Sequence, residues 1–343
     1  MKKILFPLMA VAALAGCSKE NSQSEEQVEI KLASQALEAT TRAPFEGTIG
    51  KSNPLKAFVP ASSLSGNYGS LHTYDGPHGY MLFSENGTTT VGFVSSADWA
   101  TPAAKHYPAD PNEAVYLCGL YPHDAWTIQT DGTKASAEID GKTDLMAAKE
   151  IPSTKKDVQA GGTSPTLAFK HLLTRLNIEL SAENDDAKTA WGNVTGLKIS
   201  KAGQSIPATQ AAVTLASGSV AADDFTGTDA TACYTAGTDA NITPATPLEL
   251  ATKPARSEAY TLCPPVDASS GTEHYTLEIT TTQYTTPYIV PLTLIYDGNF
   301  SGDKSSTAGQ AFAVTLTFKA STIQAYATVA PWEEAGTSGG VIQ

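Results

Sequence analysis

Histidine and carboxylate side chains are the residues of this sequence that could bind a metal or transfer protons. LHTYDGPHGY, residues 71–80, places His72, Asp75 and His78 close together, and imidazole and carboxylate are both zinc ligands. The stretch is a glycine- and proline-containing turn, and nothing in it directs three side chains toward one point. None of the six histidines has the HExxH spacing, and the common nucleophile, phosphate-loop and dinucleotide motifs are missing. The sequence therefore predicts no metal, no cofactor and no enzymatic activity.

Lipid attachment is a second kind of chemistry, and it is indicated at Cys17. Two lysines precede an apolar run over residues 4–15, which is the pattern of a secretory signal peptide. This run is shorter than the roughly 20 residues that a membrane-spanning helix needs. LAGC, residues 14–17, matches a bacterial lipobox, in which the cysteine becomes the first residue after cleavage and carries palmitate or a similar acyl chain. We therefore predict a lipoprotein signal peptide over residues 1–17 and a polar tether after it.

Proteolytic cleavage is a third kind of chemistry that the sequence suggests, and the candidate site is Arg42. The chain contains only three arginines, Arg42, Arg175 and Arg256, and Arg42 lies in the polar stretch ALEATTRAPFEG, residues 36–47. A trypsin-like protease would cut between Arg42 and Ala43. The alternative is an ordinary charged residue in a flexible tether, because linkers often carry such residues.

The elements that position these residues are predicted to be strands. LLTRLNIEL (172–180), AFAVTLTFKA (311–320) and TIQAYATV (322–329) alternate apolar and polar residues with the period of two typical of a half-buried strand. Pro287 and Pro291 place a further strand at a sheet edge or a bulge. Many short strands separated by turns indicate an all-β fold with two sandwiches. The net charge of −13 argues against nucleic acid as a partner.

The length left after the signal peptide favours two domains. We place the division in KKDVQAGGTSPT, residues 155–166, although this stretch could also be a long loop. The predicted organisation is a signal peptide at 1–17, a tether and propeptide at 18–42, an N-terminal β-sandwich at 43–165 and a C-terminal β-sandwich at 166–343. Besides Cys17, the sequence has three cysteines. Cys118 is expected to be a buried thiol, and Cys233 and Cys263 are expected either to form a disulfide or to remain free thiols.

Several segments together resemble the fimbrillin-like proteins of Bacteroidetes. TDLMAAKEIPSTKK followed by PTLAFKHLLTRLNIEL is similar to a D-L-M-x-A segment and an F-x-H strand of that family. Asp144, Leu145 and Met146 occupy the first, and Phe169 and His171 occupy the second. The closing GQAFAVTLTFKASTIQAYATVAPWEEAG, the lipobox and the Thr-Arg-Ala around Arg42 also fit.

The resemblance implies a subunit of a type V pilus with two transthyretin-like β-sandwich domains in tandem, exported as a lipoprotein to the outer membrane. It also implies that an Arg-specific protease cuts after Arg42 and releases a removable first strand. In VEIKLAS, residues 28–34, that strand presents Val28, Ile30 and Leu32 on one face. A strand from another pilin subunit would then fill the vacated site.

The donor of such a strand is expected at the C-terminus. The candidate residues are Ile323, Ala325, Ala327, Val329, Val341 and Ile342. The glycine-rich tail after Trp332 is short for a stalk subunit, which leaves a tip or accessory subunit as an alternative. Peeling away of the last strand is another alternative.

A function from a different class is a monomeric surface lipoprotein that binds a glycan or another host ligand. Its stacking platform would use aromatic residues in one loop-rich region. These residues are Tyr68, Tyr74, Tyr80, Trp99 and Tyr107. Core packing is the more common role for each of them taken singly.

Overall fold

The computed structural model describes residues 27–33, 55–63, 67–68, 78–83, 90–95, 97–162, 164–202, 209–227, 230–267, 274–295 and 305–330. Within these ranges the chain forms twenty-four strands and two short helices, and the predicted all-β class is confirmed. No helix of the described part is long and apolar enough to cross a membrane.

The elements of the first half are β1 (Leu32–Ala33), β2 (Leu55–Ser62), β3 (His78–Phe83), β4 (Thr90–Val91), β5 (Phe93–Val94), β6 (Ala114–Tyr121), β7 (Thr127–Ile128), β8 (Lys134–Glu138), β9 (Met146–Thr154), α1 (Lys155–Gln159) and β10 (Phe169–His171). The next are β11 (Thr174–Ala182), α2 (Asp185–Trp191), β12 (Val194–Ala202), β13 (Gln210–Thr214), β14 (Ser219–Thr226), β15 (Thr231–Ala232), β16 (Tyr234–Thr235) and β17 (Ala240–Asn241). The last are β18 (Ala251–Thr252), β19 (Ser257–Cys263), β20 (His274–Thr281), β21 (Tyr288–Leu292), β22 (Leu294–Ile295), β23 (Ala311–Phe318) and β24 (Ile323–Ala330).

Two sheets pack against each other in the second half. An eight-stranded sheet runs β17-β16-β19-β11-β23-β24-β22, with β18 beside β11, and a four-stranded sheet runs β15-β12-β20-β21. Their inward side chains form one cluster, which we call the C-terminal core. It contains the alternating residues of β11, β12, β20 and β23, together with Trp191 of α2. As the proline pattern predicted, β21 lies at the edge of its sheet and includes Pro291.

The first half is built on a six-stranded sheet, β10-β9-β6-β2-β3-β5, which is covered on both faces. On one face, Phe58, Cys118 and Leu120 join the middle core, which also holds Ala135 of β8 and Val213 of β13. On the other face lies the N-terminal core. Its buried members are Ile30, Leu32, Ala57, Val59, Ala61, Met81, Phe93, Tyr107, Val115, Leu117, Met146, Ala148, Leu167 and Phe169.

The sheet that covers the middle core combines strands from both sides of residue 165. Its order is β14-β13-β8-β7, and β13 pairs with β8 from Gln210↔Glu138 to Thr214↔Lys134. Lys134 Nζ also lies 2.5 Å from Asp224 Oδ1 of β14. The hairpin β13–β14 therefore completes a layer that begins 70 residues or more earlier in the chain. The division into two transthyretin-like domains near residue 165 stays a prediction.

The two helices are short and capped by the side chains expected at helix starts. Thr154 accepts a hydrogen bond from the Asp157 amide at the start of α1, and Asn184 accepts one from the Ala187 amide at the start of α2. Trp191 ends α2 and is buried, with its indole Nε1 donating to the Lys319 carbonyl at 2.6 Å. Helix α2 thereby closes one end of the C-terminal core.

Candidate functional site: the groove filled by residues 27–33

The segment 27–33 lies in the first half as an added extended strand. The Ile30 amide donates to the Lys105 carbonyl at 2.7 Å, and the Tyr107 amide donates to the Val28 carbonyl at 2.9 Å. Farther along, β1 pairs antiparallel with β4, with Leu32 opposite Val91. The segment thus takes its backbone partners from two stretches, residues 105–107 and 90–91.

The side chains of this segment alternate between the protein interior and the surface. Ile30 and Leu32 are both 0% exposed, and Val28 packs against the same N-terminal core. Glu29 and Lys31 point the other way and form an ion pair of 3.2 Å with each other. Such a surface pair contributes little to stability. The attachment of the segment therefore depends on its apolar face and its main-chain hydrogen bonds.

The groove that holds the segment is lined by the N-terminal core. Ile30 and Leu32 cluster there with buried side chains of β2, β6 and β9 and with Phe93 and Tyr107. The Tyr107 hydroxyl lies 2.6 Å from Ser153 Oγ, which fixes the ring in place. A Cβ on Gly92 would lie 2.6 Å from Glu29 Oε1, which is the end of a flexible side chain that could move aside.

A mostly buried histidine–carboxylate contact joins β10 to the turn before β9 at the edge of the six-stranded sheet. His171 Nδ1 lies 3.1 Å from both carboxylate oxygens of Asp144, and the His171 side chain is 3% exposed. Both residues come from the segments that resemble the fimbrillin-like motifs. Their contact gives a physical reason for that spacing, because the pair ties the start of β9 to the end of β10.

Tyr121 lies beside this pair, across β9 from His171, and provides a pH-dependent prediction. Burial, and then the negative charges of Asp144 and Asp124, raise the pKa of Tyr121 from 10.0 to about 12. Below pH 10 the phenol is protonated in the folded and unfolded states alike. In that range this group does not make the free energy of unfolding depend on pH. Between pH 10 and 12 the unfolded chain releases this proton while the folded chain retains it, so the free energy of unfolding falls.

We expect Tyr121→Phe to reduce this alkaline loss of stability by about 2 kcal/mol, which corresponds to the shift in pKa. Urea unfolding of both proteins at pH 9, 10, 11 and 12 measures the difference. Parallel dependence on pH in the two proteins would contradict the assignment.

The three arginines lie in different surroundings. Arg175 is 4% exposed in β11, with its guanidinium carbon 5.4 Å from the centre of the Tyr260 ring. Arg256 is more exposed and bonds to Glu179 at 3.0 Å, immediately before β19. Arg42, Ala43 and Cys17 lie outside the described residues. Burial protects Arg175 from a protease, whereas Arg256 is the internal comparison for Arg42.

The predicted donor residues are partly described. β24 pairs with β23 from Ala311↔Ala330 to Phe318↔Ile323, and it pairs in parallel with β22 on its other side. Ile323 and Ala327 are buried in the C-terminal core, and Ala325 packs against it. The backbone of Val329 belongs to β24, and Val341 and Ile342 lie outside the described residues. In this structure β24 is an integral strand of its own sheet.

The proposed aromatic platform does not form as a single surface. Tyr68 is 0% exposed and Tyr107 is 6% exposed, so neither is available to stack on a ligand. Tyr80 and Trp99 are half-buried and contact each other edge-on, with ring centres 5.7 Å apart. Tyr74 lies outside the described residues, as do His72 and Asp75 of the histidine-containing turn.

The remaining cysteines are internal thiols. Cys118, Cys233 and Cys263 are free and buried. Burial raises the pKa of the Cys263 thiol to about 12. These groups are therefore protonated at neutral pH and serve as packing residues.

Sequence reasoning found the inward face of segment 27–33 but missed its backbone partners. Lys105 and Tyr107 lie about 75 residues away, in the irregular stretch AAKHYP, and Thr90-Val91 is only a two-residue strand. The sequence pattern of these two stretches only weakly indicates strands, since neither has more than a short alternation of apolar and polar residues.

Comparisons with known proteins identify the family. The model of the fimbrillin-like family matches residues 41–332, and the model of the prokaryotic membrane lipoprotein lipid attachment site matches residues 1–18. Cys17 is the only cysteine within that second range. None of the curated protein sequences matches this chain.

Several solved structures are similar to this chain. A candidate cell adhesion protein of Bacteroides uniformis is 16% identical, with a TM-score of 0.51, and the match covers 89% of this chain and 99% of that chain. A fimbrial protein of Bacteroides vulgatus is 12% identical, with a TM-score of 0.44 and coverage of 89% and 99%. The tip fimbrial protein Mfa3 of Porphyromonas gingivalis is 10% identical, with a TM-score of 0.38 and coverage of 89% and 100%. The first of these likenesses shows a shared fold. Since the family model covers most of its length, the chain belongs to the fimbrillin-like family and is a structural, non-enzymatic lipoprotein of the cell surface.

Proposed function

We propose that the chain is a pilin subunit of an adhesive fimbria and that it is assembled by strand exchange. In this proposal the precursor is acylated on Cys17 and held in the outer membrane. An Arg-specific protease cuts between Arg42 and Ala43. The fragment that carries Val28, Ile30 and Leu32 then leaves its groove, and an extended strand of another subunit takes its place.

One observation carries the proposal: the segment is part of the N-terminal core, yet it lies before Arg42 in the sequence and would be released by a cut there. Ile30 and Leu32 are fully buried, although the stretch that contains them lies in the predicted propeptide. A disposable tether has no need to fill a hydrophobic core. A removable strand does, because it keeps the groove closed until the cut.

Removal of the segment would break two kinds of contact. The Lys105 carbonyl and the Tyr107 amide would lose their hydrogen bonds to the segment, and a strand edge opened in this way favours pairing with another chain. The floor of the groove would also expose apolar side chains. An incoming strand can satisfy both at once, since it adds main-chain hydrogen bonds and buries alternate side chains.

The test is Arg42→Ala in the full-length protein, expressed in the bacterium. The altered chain should fold and reach the membrane but should not enter fibres, because segment 27–33 stays attached. Immunogold labelling of sheared fibres measures incorporation, and N-terminal mass analysis measures cleavage. The matched control is Arg256→Ala, which should be cut at Arg42 and incorporated normally.

Normal incorporation of the Arg42→Ala chain would overturn the maturation step. So would a mature fibre subunit that still carries residues 27–33.

A further inference from the structure

We propose that the groove of this chain accepts a strand from a different protein, one with three large branched side chains at alternate positions, and that it does not accept the last strand of its own kind. This inference rests on the proposed function and specifies the partner. It predicts assembly with an unlike subunit instead of a polymer of identical copies.

The present occupant defines what the groove requires. Val28, Ile30 and Leu32 are branched, and the last two have no exposed surface. Protein interiors are packed closely, so removal of methyl groups from such positions leaves cavities that are only partly filled by relaxation. A replacement strand must therefore supply side chains of similar volume at the same spacing of two residues.

The chain's own last strand fails this requirement. Ile323, Ala325 and Ala327 pack in or against the C-terminal core, and Val329 follows in the sequence at the same spacing of two residues. The two central positions of this series are alanines. Three consecutive alternate residues of this strand would have to occupy the sites now filled by Val28, Ile30 and Leu32. The three residues are then either Ile-Ala-Ala or Ala-Ala-Val. In each register two of the three sites receive a methyl group instead of a branched side chain. The opposite face, Gln324, Tyr326 and Thr328, carries polar atoms at every position.

The strand is also committed to its own sheet. β24 pairs along its whole length with β23, and β22 flanks its other edge. Ala327 is fully buried in the C-terminal core, where a small side chain fits. The alanines are thus suited to their present site. Withdrawal of the strand would break an eight-residue ladder and open that core.

Residues 331–343, PWEEAGTSGGVIQ, do not offer a substitute, because they contain no three large apolar residues at alternate positions. Val341 and Ile342 are consecutive, so in an extended strand they would point to opposite faces. Only one of them could enter the groove.

The test compares three fluorescein-labelled peptides for binding to the leader-free chain, residues 18–343, after cleavage at Arg42 and removal of the released fragment. The first peptide is QVEIKLA, which copies residues 27–33. The second is IQAYATV, which copies residues 323–329. The third is the second with Ala325→Ile and Ala327→Leu, so that all four of its alternate positions carry branched residues and every register fills the three sites of the groove. Fluorescence anisotropy gives the dissociation constants, and the uncut protein, whose groove is filled, is the control.

We expect the first and third peptides to bind the cut protein, and the second to bind at least about 100-fold more weakly because two buried sites are underfilled. None should bind the uncut protein with comparable affinity. Equal binding of IQAYATV and QVEIKLA would overturn this inference and leave strand exchange intact. Failure of all three peptides to bind the cut protein would overturn strand exchange itself, and the inference with it.

Discussion

Replacement of Leu32 by alanine is expected to lower the free energy of unfolding of the uncut chain by about 2–5 kcal/mol, the usual cost of emptying a fully buried leucine site. Ile30→Ala should have an effect of similar size. Both side chains are 0% exposed and belong to the N-terminal core. A residue in an unattached tether would give no such effect.

Lys31→Ala provides the matched control, because Lys31 lies between the two buried residues and has a side chain that is 46% exposed. Its substitution should change stability by no more than about 0.5 kcal/mol. Guanidinium unfolding followed by tryptophan fluorescence compares the three variants. After cleavage at Arg42 and removal of the released fragment, Leu32→Ala and the unaltered chain should become indistinguishable. Equal stability of the uncut Leu32→Ala and Lys31→Ala chains would show that the segment does not contribute to the core.

His171→Leu is expected to lower the free energy of unfolding by about 3–5 kcal/mol, because it leaves the Asp144 carboxylate in a mostly buried site without its partner. The Asp144 side chain is 15% exposed, and His171 Nδ1 lies 3.1 Å from both carboxylate oxygens. The double substitution Asp144→Leu/His171→Leu should recover much of this loss, since replacing both members of a buried pair with apolar groups is often neutral.

His123→Ala is the control for this second experiment. His123 is 27% exposed and its Nδ1 lies 3.8 Å from the exposed carboxylate of Asp124, so its loss should cost about 1 kcal/mol or less. Thermal unfolding of the four proteins at pH 7 measures the differences. A loss in the His171→Leu chain no larger than that of His123→Ala would contradict the role of the buried pair.

Alternation along single strands explains why much of the fold could be predicted. β11, β20 and β23 each have large apolar residues at every second position, and all three line the C-terminal core as expected. This periodicity reports which face of a strand is buried. It carries no information about which strand lies beside it, because pairing partners are set by tertiary packing. The return of hairpin β13–β14 to β8 was therefore not predictable from these residues.

The same distinction holds for the candidate site. Val28, Ile30 and Leu32 could be picked out because their spacing is local. Their partners Lys105 and Tyr107 could not, since those residues contribute backbone groups, which look alike in every sequence. Tyr68 and Trp99 illustrate a further limit: both are aromatic residues in polar surroundings, yet Tyr68 is fully buried and Trp99 is not.

The hairpin at 210–226 also constrains how the molecule is made. A secreted polypeptide leaves the export channel starting from its N-terminus, but strand β8 gains its neighbour β13 only after residue 214 has emerged. Until then the apolar layer formed by Cys118, Leu120 and Ala135 lacks part of its cover. The middle core of the first half therefore stays incompletely covered until β13 has been exported and pairs with β8. During that interval the nascent chain exposes apolar surface and is most prone to aggregate.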